Sequence, residues 1–171
     1  MNIDEIKDML EAHDLEYEVQ TATAGVRTPM ERHTVWVDVP REELHDLVAS
    51  LIEEADEFPH FSVISPSDAG DDMIYNYHLT LNYGTFCGEV AITLRVPAPK
   101  NDLWVPTLTD LIPGTEFSER EVIEMTGADV QGLHDKRHLF LTPDFPEGVY
   151  PWRRDEAGAK ETNKLYEGWK E

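Results

Sequence analysis

Residues 73–83, MIYNYHLTLNY, and residues 88–99, GEVAITLRVPAP, alternate apolar and polar side chains, with Gly84 in the short stretch between them. A period of two puts one set of side chains on a core and the other on the opposite face. Two such runs joined by a short connection predict an antiparallel hairpin. A hairpin with one apolar face has to bury that face, so the rest of the chain must supply a covering layer.

Amphipathic runs elsewhere can form that layer. Ile3, Ile6, Met9 and Leu10 recur at helical spacing within residues 3–13. Leu44, Leu47, Val48, Leu51 and Ile52 form a second apolar stripe, with Pro40 near its first turn. Residues 16–21 read as a short extended piece and 22–32 as a loop. In 33–39, Val35, Val37 and Val39 oppose Trp36 and Asp38, a strand pattern. A further strand is expected over 61–65, followed by a turn-rich stretch to residue 72.

Thr107 stands three residues before Asp110 and predicts a capped short helix that Pro113-Gly114 ends. Ser118 and Glu121 predict a second capping box, with Gly127 as the helix stop. Residues 137–142 read as a short strand or extended arm. Residues 143–155 hold three prolines and exclude a regular element. The expected architecture is an α+β domain over 1–142, a mostly antiparallel sheet with helices packed on one face. A proline-rich, charged, extended C-terminal tail follows over 143–171.

Composition narrows the function. Of 171 residues, 40% are apolar, enough for a core. Asp and Glu number 35 against 14 Lys and Arg, a net charge of −21. Such an excess repels phosphate backbones and anionic headgroups, which argues against nucleic-acid binding and direct membrane docking. No apolar run reaches the roughly 18–20 residues of a membrane helix, and the acidic start lacks a signal-peptide layout, so an intracellular protein is expected. The single cysteine, Cys87, excludes an internal disulfide or a cysteine-rich metal site and is read as a thiol without a role.

The densest charge cluster is FSEREVIEMTG at 117–127. Glu119, Glu121 and Glu124 fit either a solvated helix face or acid–base catalysts. His134 and His138 have the spacing of two zinc ligands if their segment is helical, or are surface or interface histidines. His78 belongs on the polar face of its strand. No phosphate loop, dinucleotide fingerprint or nucleophile elbow occurs. Arg120, Arg137, Arg153 and Arg154 all fall in the last third. Arg120 has glutamates of its own to pair with. Arginine is suited to bidentate carboxylate pairing at interfaces.

The run VPTLTDLIPGTEFSEREVIEMTGADVQGLHDKRHLFLTPDFPEGVYPWRRD, from residue 105, resembles the 30-kDa subunit family of respiratory complex I. That family is the C subunit of NADH–quinone oxidoreductase and includes related subunits of energy-converting hydrogenases and archaeal dehydrogenases. The resemblance rests on Glu119-Arg120-Glu121, Glu124, Met125, Arg137 and Leu139-Phe140-Leu141. The sequence departs at Thr126, where a second apolar residue is usual, at Leu133 in place of a histidine, and at His134 in place of a proline.

The resemblance implies a non-catalytic, cofactor-free subunit of an electron-transport complex. It would bind a large hydrogenase-like (49-kDa-type) subunit beside iron–sulfur subunits. Glu119, Arg120, Glu121, Glu124, Arg137, Arg153 and Arg154 would lie on the docking surface, and Tyr166 and Trp169 would anchor the tail. Such a protein would sit in the cytoplasm, peripheral to the inner face of the cell membrane, touching the membrane only through partners. The competing expectations are a small free-standing enzyme using Glu119, Glu121, Glu124 and His134, or a highly soluble adaptor unrelated to respiration.

Overall fold

A computed structural model describes residues 1–26, 29–85 and 88–159. The elements in chain order are α1 (Ile3–Ala12), β1 (Tyr17–Ala24), β2 (Met30–Asp38), α2 (Leu44–Glu54), β3 (His60–Asp68), β4 (Asp72–Leu81), β5 (Val90–Pro99), β6 (Trp104–Pro106), a 3-10 turn (Pro113–Thr115), α3 (Glu116–Thr126) and β7 (Asp129–Gln131). The fold is α+β, and its main sheet has the order β1-β2-β5-β4-β3. Every pair in that sheet is antiparallel except β2 with β5.

The expected hairpin is the centre of this sheet. Tyr75 lies opposite Val96, Tyr77 opposite Leu94 and Leu79 opposite Ile92, and all six side chains are buried. Val35 and Val37 continue the same face across β2. Ile6, Met9 and Leu10 of α1, Leu44, Leu47, Val48 and Leu51 of α2, and Val122 of α3 complete one core. The Tyr75 hydroxyl lies 2.9 Å from the Thr126 hydroxyl, so α3 packs on the same sheet face. The opposite face is polar and half-exposed. There His78 lies within hydrogen-bonding distance of Ser65 and Thr93, as its strand phase requires.

Several local expectations are corrected. Residues 22–32 are not one loop: Thr21 pairs with His33 and Ala24 with Met30, so the first strands form a second hairpin. Residues 21–23 of the first strand are exposed, so cross-strand bonding is not accompanied there by an apolar period. The third strand runs on to Asp68 rather than ending at 65. Pro66 is tolerated because β3 is an edge strand with one side unpaired.

Residues 107–110 form no helix. The Thr107 hydroxyl is engaged with Thr109 and Glu119 instead of capping. Pro113 opens the 3-10 turn that leads into α3, a start and not a stop. Ser118 lies inside α3, whose N-cap position is Thr115, so the second capping box is absent. Residues 137–142 are irregular rather than a strand.

Candidate docking surface

Glycine is needed at 127 for two reasons. Its φ of +79° ends α3 in the left-handed region. A Cβ there would also stand 2.5 Å from the Tyr150 ring. The chain then returns through β7, which pairs parallel with β6. This places α3 between two loops, 107–112 on one side and 133–141 on the other. Glu119 reaches the first loop, and Arg120 and Glu124 reach the second.

Glu119 turns inward and is fully buried. Its carboxylate accepts the Leu108 N–H at 2.7 Å and the Thr107 hydroxyl at 2.6 Å. Burial raises its pKa above the ordinary carboxylate range, against these hydrogen bonds. Glu124 is 3% exposed. Its two oxygens accept the N–H groups of Leu139, Phe140 and Leu141 at 2.9–3.1 Å.

One turn earlier, Arg120 donates to the carbonyls of Arg137 at 3.0 Å and His138 at 3.3 Å. It also approaches Asp135 at 3.4 Å and Glu116 at 3.7 Å. An arginine and a glutamate at i, i+4 therefore grip one loop by its carbonyls and its amides in succession. Glu121 is half-buried and forms no hydrogen bond or ion pair with the described residues. Burial, then the Glu124 charge, raises its pKa.

The gripped loop exposes Arg137, His138 and Phe140, while Leu139 and Leu141 are half-buried. Arg137 is 83% exposed along its side chain and is braced by Asp135 at 2.6 and 2.8 Å. That guanidinium holds the Asp135 carboxyl well below the usual range. Phe140, three residues on, is 63% exposed.

The proline-rich segment is held against the same side of the molecule. The Trp152 N–H donates to the Met125 carbonyl at 3.0 Å, and the Tyr150 N–H to Ala157 at 2.7 Å. Arg153 pairs with Asp155 at 2.9 Å. Lys100 joins Asp155 at 3.2 Å to both oxygens of Asp68 at 2.7 Å. Asp68 also accepts the Arg154 N–H, and its pKa falls to about 2, chiefly through the Lys100 hydrogen bond. Arg153 thus has a role inside the fold that its position in the tail did not suggest. Arg154 is exposed. Tyr166 and Trp169 lie outside the described residues.

The groups that a free-standing enzyme would use are not gathered into one place. Glu119 and Glu124 address different loops, and His134 is exposed. The segment with His134 and His138 is not helical. Among the described residues no three His, Cys, Asp or Glu side chains could hold a metal ion. No sequence motif marks Asp68, Lys100 or Asp155, and Thr107 suggested only a helix cap. One signal was available: Lys100 is the only base between Arg95 and Arg120.

The family profile described as "Respiratory-chain NADH dehydrogenase, 30 Kd subunit" matches residues 37–162. The chain belongs to this family. Its match takes in the central strands, the α3 grip and the folded-back segment. Membrane-bound hydrogenase subunit beta of Pyrococcus furiosus is 42% identical over 130 residues, covering 76% of this chain and 74% of the relative. Among solved structures, the archaeal membrane-bound sulfane sulfur reductase, a respiratory membrane complex, contains a similar chain. That likeness has a TM-score of 0.62 at 21% identity and covers 86% of this chain and 81% of the other. A trypsin-resistant fragment of Nqo5 matches with a TM-score of 0.59 at 24% identity, over 79% of this chain and 99% of the fragment.

The family's acidic helix is here the organiser of a loop. Thr126, a departure from the family pattern, is fully buried and satisfied: its hydroxyl donates to the Val122 carbonyl at 2.6 Å and meets Tyr75. Leu133, the second departure, is buried, while His134 beside it is exposed. No helix among the described residues is long and apolar enough to cross a membrane.

Proposed function

We propose that this chain is a non-catalytic, cofactor-free peripheral-arm subunit of a complex-I-like or energy-converting-hydrogenase-like membrane complex. It docks on the large hydrogenase-like subunit, next to iron–sulfur subunits. The observation that carries the reading is the grip of Arg120 and Glu124 on the backbone of residues 137–141. Buried charge is spent on holding a loop, and the loop offers solvent an arginine and a phenylalanine. Arginine and aromatic side chains dominate interface energetics, and a rigid loop loses little entropy on binding.

In this proposal Arg137 and Phe140 meet the partner, with Glu121 and Arg154 beside them. Glu119, Arg120, Glu124 and Arg153 act from within by shaping the surface. Tyr166 and Trp169 of the 143–171 tail add contacts of their own. The complex lies on the cytoplasmic face of the membrane, and this chain reaches the membrane only through companions.

The test is affinity purification of the tagged chain from gently solubilised native membranes. Recovery of a hydrogenase-like large subunit with iron–sulfur proteins is expected. Recovery is expected to fall at least tenfold for the double substitution Arg137→Ala/Phe140→Ala, with thermal stability unchanged. Equal recovery by the variant would remove the loop from the interface, and a chain that purifies alone would remove the subunit reading itself.

A further inference from the structure

At the other end of the sheet, three large aromatic side chains are exposed around one cleft. Phe58 follows α2, Tyr83 follows β4, and Phe117 stands in the first turn of α3; they are 60%, 59% and 60% exposed. The cleft has a volume of about 520 Å³ and also meets His60 and Phe61. His60 stacks on Tyr83 with ring centroids 4.0 Å apart, which fixes that wall. Glu57 is on the rim, and no lysine or arginine lines the cleft among the described residues.

Three separate elements converge here, and each leaves most of an aromatic ring in water. In a chain of net charge −21, such a concentration is an exception to an otherwise solvated surface. Aromatic faces beside a carboxylate, with no cation of their own, favour a planar, weakly hydrated cation. Guanidinium meets that description better than ammonium, because it can stack on a ring and pair with a carboxylate together. The remaining volume and the apolar floor accept an aliphatic side chain next to it.

We propose that this cleft seats an arginine and an adjacent apolar side chain from an extended segment of a neighbouring subunit. The inference rests on the subunit reading above, but it concerns a surface that shares no residue with the 137–141 loop.

The experiment places a photoreactive benzoylphenylalanine at position 117 of the tagged chain, in cells that assemble the complex. Membranes are irradiated, the complex is purified, and the crosslinked peptide is sequenced. The expected product is one peptide from one companion subunit, with an arginine beside the crosslinked apolar residue. A peptide from a second copy of this chain, an acidic peptide, or no crosslink in an otherwise intact complex would overturn the proposal. A chain recovered without companions would overturn it together with the subunit reading.

A second variant guards against a chance crosslink. Tyr83→Ala/Phe117→Ala should lower retention of that companion roughly 30-fold, with an unchanged thermal midpoint. Undiminished retention would also overturn the proposal.

Discussion

Glu119 places a carboxyl group where a core residue would ordinarily be apolar. Glu119→Ala would leave the Leu108 N–H and the Thr107 hydroxyl without an acceptor and open a cavity. We expect a loss of about 3 kcal/mol. Glu121→Ala, at a half-buried side chain that holds neither loop, should stay within about 0.5 kcal/mol. Chemical denaturation of the two variants distinguishes these outcomes, and equal losses would contradict the division of roles.

A pH titration gives a sharper check on Glu119. Burial raises its folded pKa above the ordinary glutamate value of 4.5. The folded state therefore holds this proton more tightly than the unfolded state. Its contribution to stability grows as pH falls through the folded value and is complete below about 4.5. The stability of the wild type relative to Glu119→Gln should rise over that interval. A difference that stays flat, or falls, would show that the carboxylate is not held in this way.

Among elements, α3 and the segment 150–158 depend on each other. Gly127→Ala forces a Cβ into a φ of +79° and into the Tyr150 ring. We expect a cost of at least about 1 kcal/mol and faster amide exchange at Tyr150 and Trp152. Unchanged exchange there would mean that the ring does not rest on the glycine. Asp68→Asn tests the other attachment. Its side chain is 3% exposed and its partner Lys100 11% exposed. Breaking such a pair costs about 3 kcal/mol and should expose residues 143–158 to protease at neutral pH. In the wild type, the stability supplied by Asp68 is present above the ordinary aspartate value of 3.8 and is lost as pH falls from there through about 2. Protease resistance of the variant equal to that of the wild type would discount the Lys100 link.

For the whole molecule, an acidic surface of net charge −21 couples association to salt. If Arg137 is an exposed interface cation, its contribution should weaken between low and high ionic strength, whereas that of Phe140 should not. Measuring retention of single Arg137→Ala and Phe140→Ala variants at two salt concentrations separates the terms. A salt dependence identical for both would argue that the loop acts only through its shape.

The hairpin of β4 and β5, the stripes of α1 and α2, and the stop at Gly127 were legible from residue order. Period, stripe and glycine conformation are local properties that any fold must respect. The family, too, was legible, because its motif is a linear string around Glu119-Arg120-Glu121. The strand ends at 22–24 and 30–32 were not, since they are held by backbone pairing that leaves no apolar period. Nor was the direction in which each charge points. An Arg–Glu pair reads the same on a solvated face and on a buried one. Only the packing of α3 between the loops at 107–112 and 133–141 decided that Glu119 and Glu124 face inward, because the amides that receive them lie 11 to 17 residues away along the chain. Long-range partners are chosen by the folded backbone, and the side chains then satisfy the hydrogen bonds which that backbone leaves open.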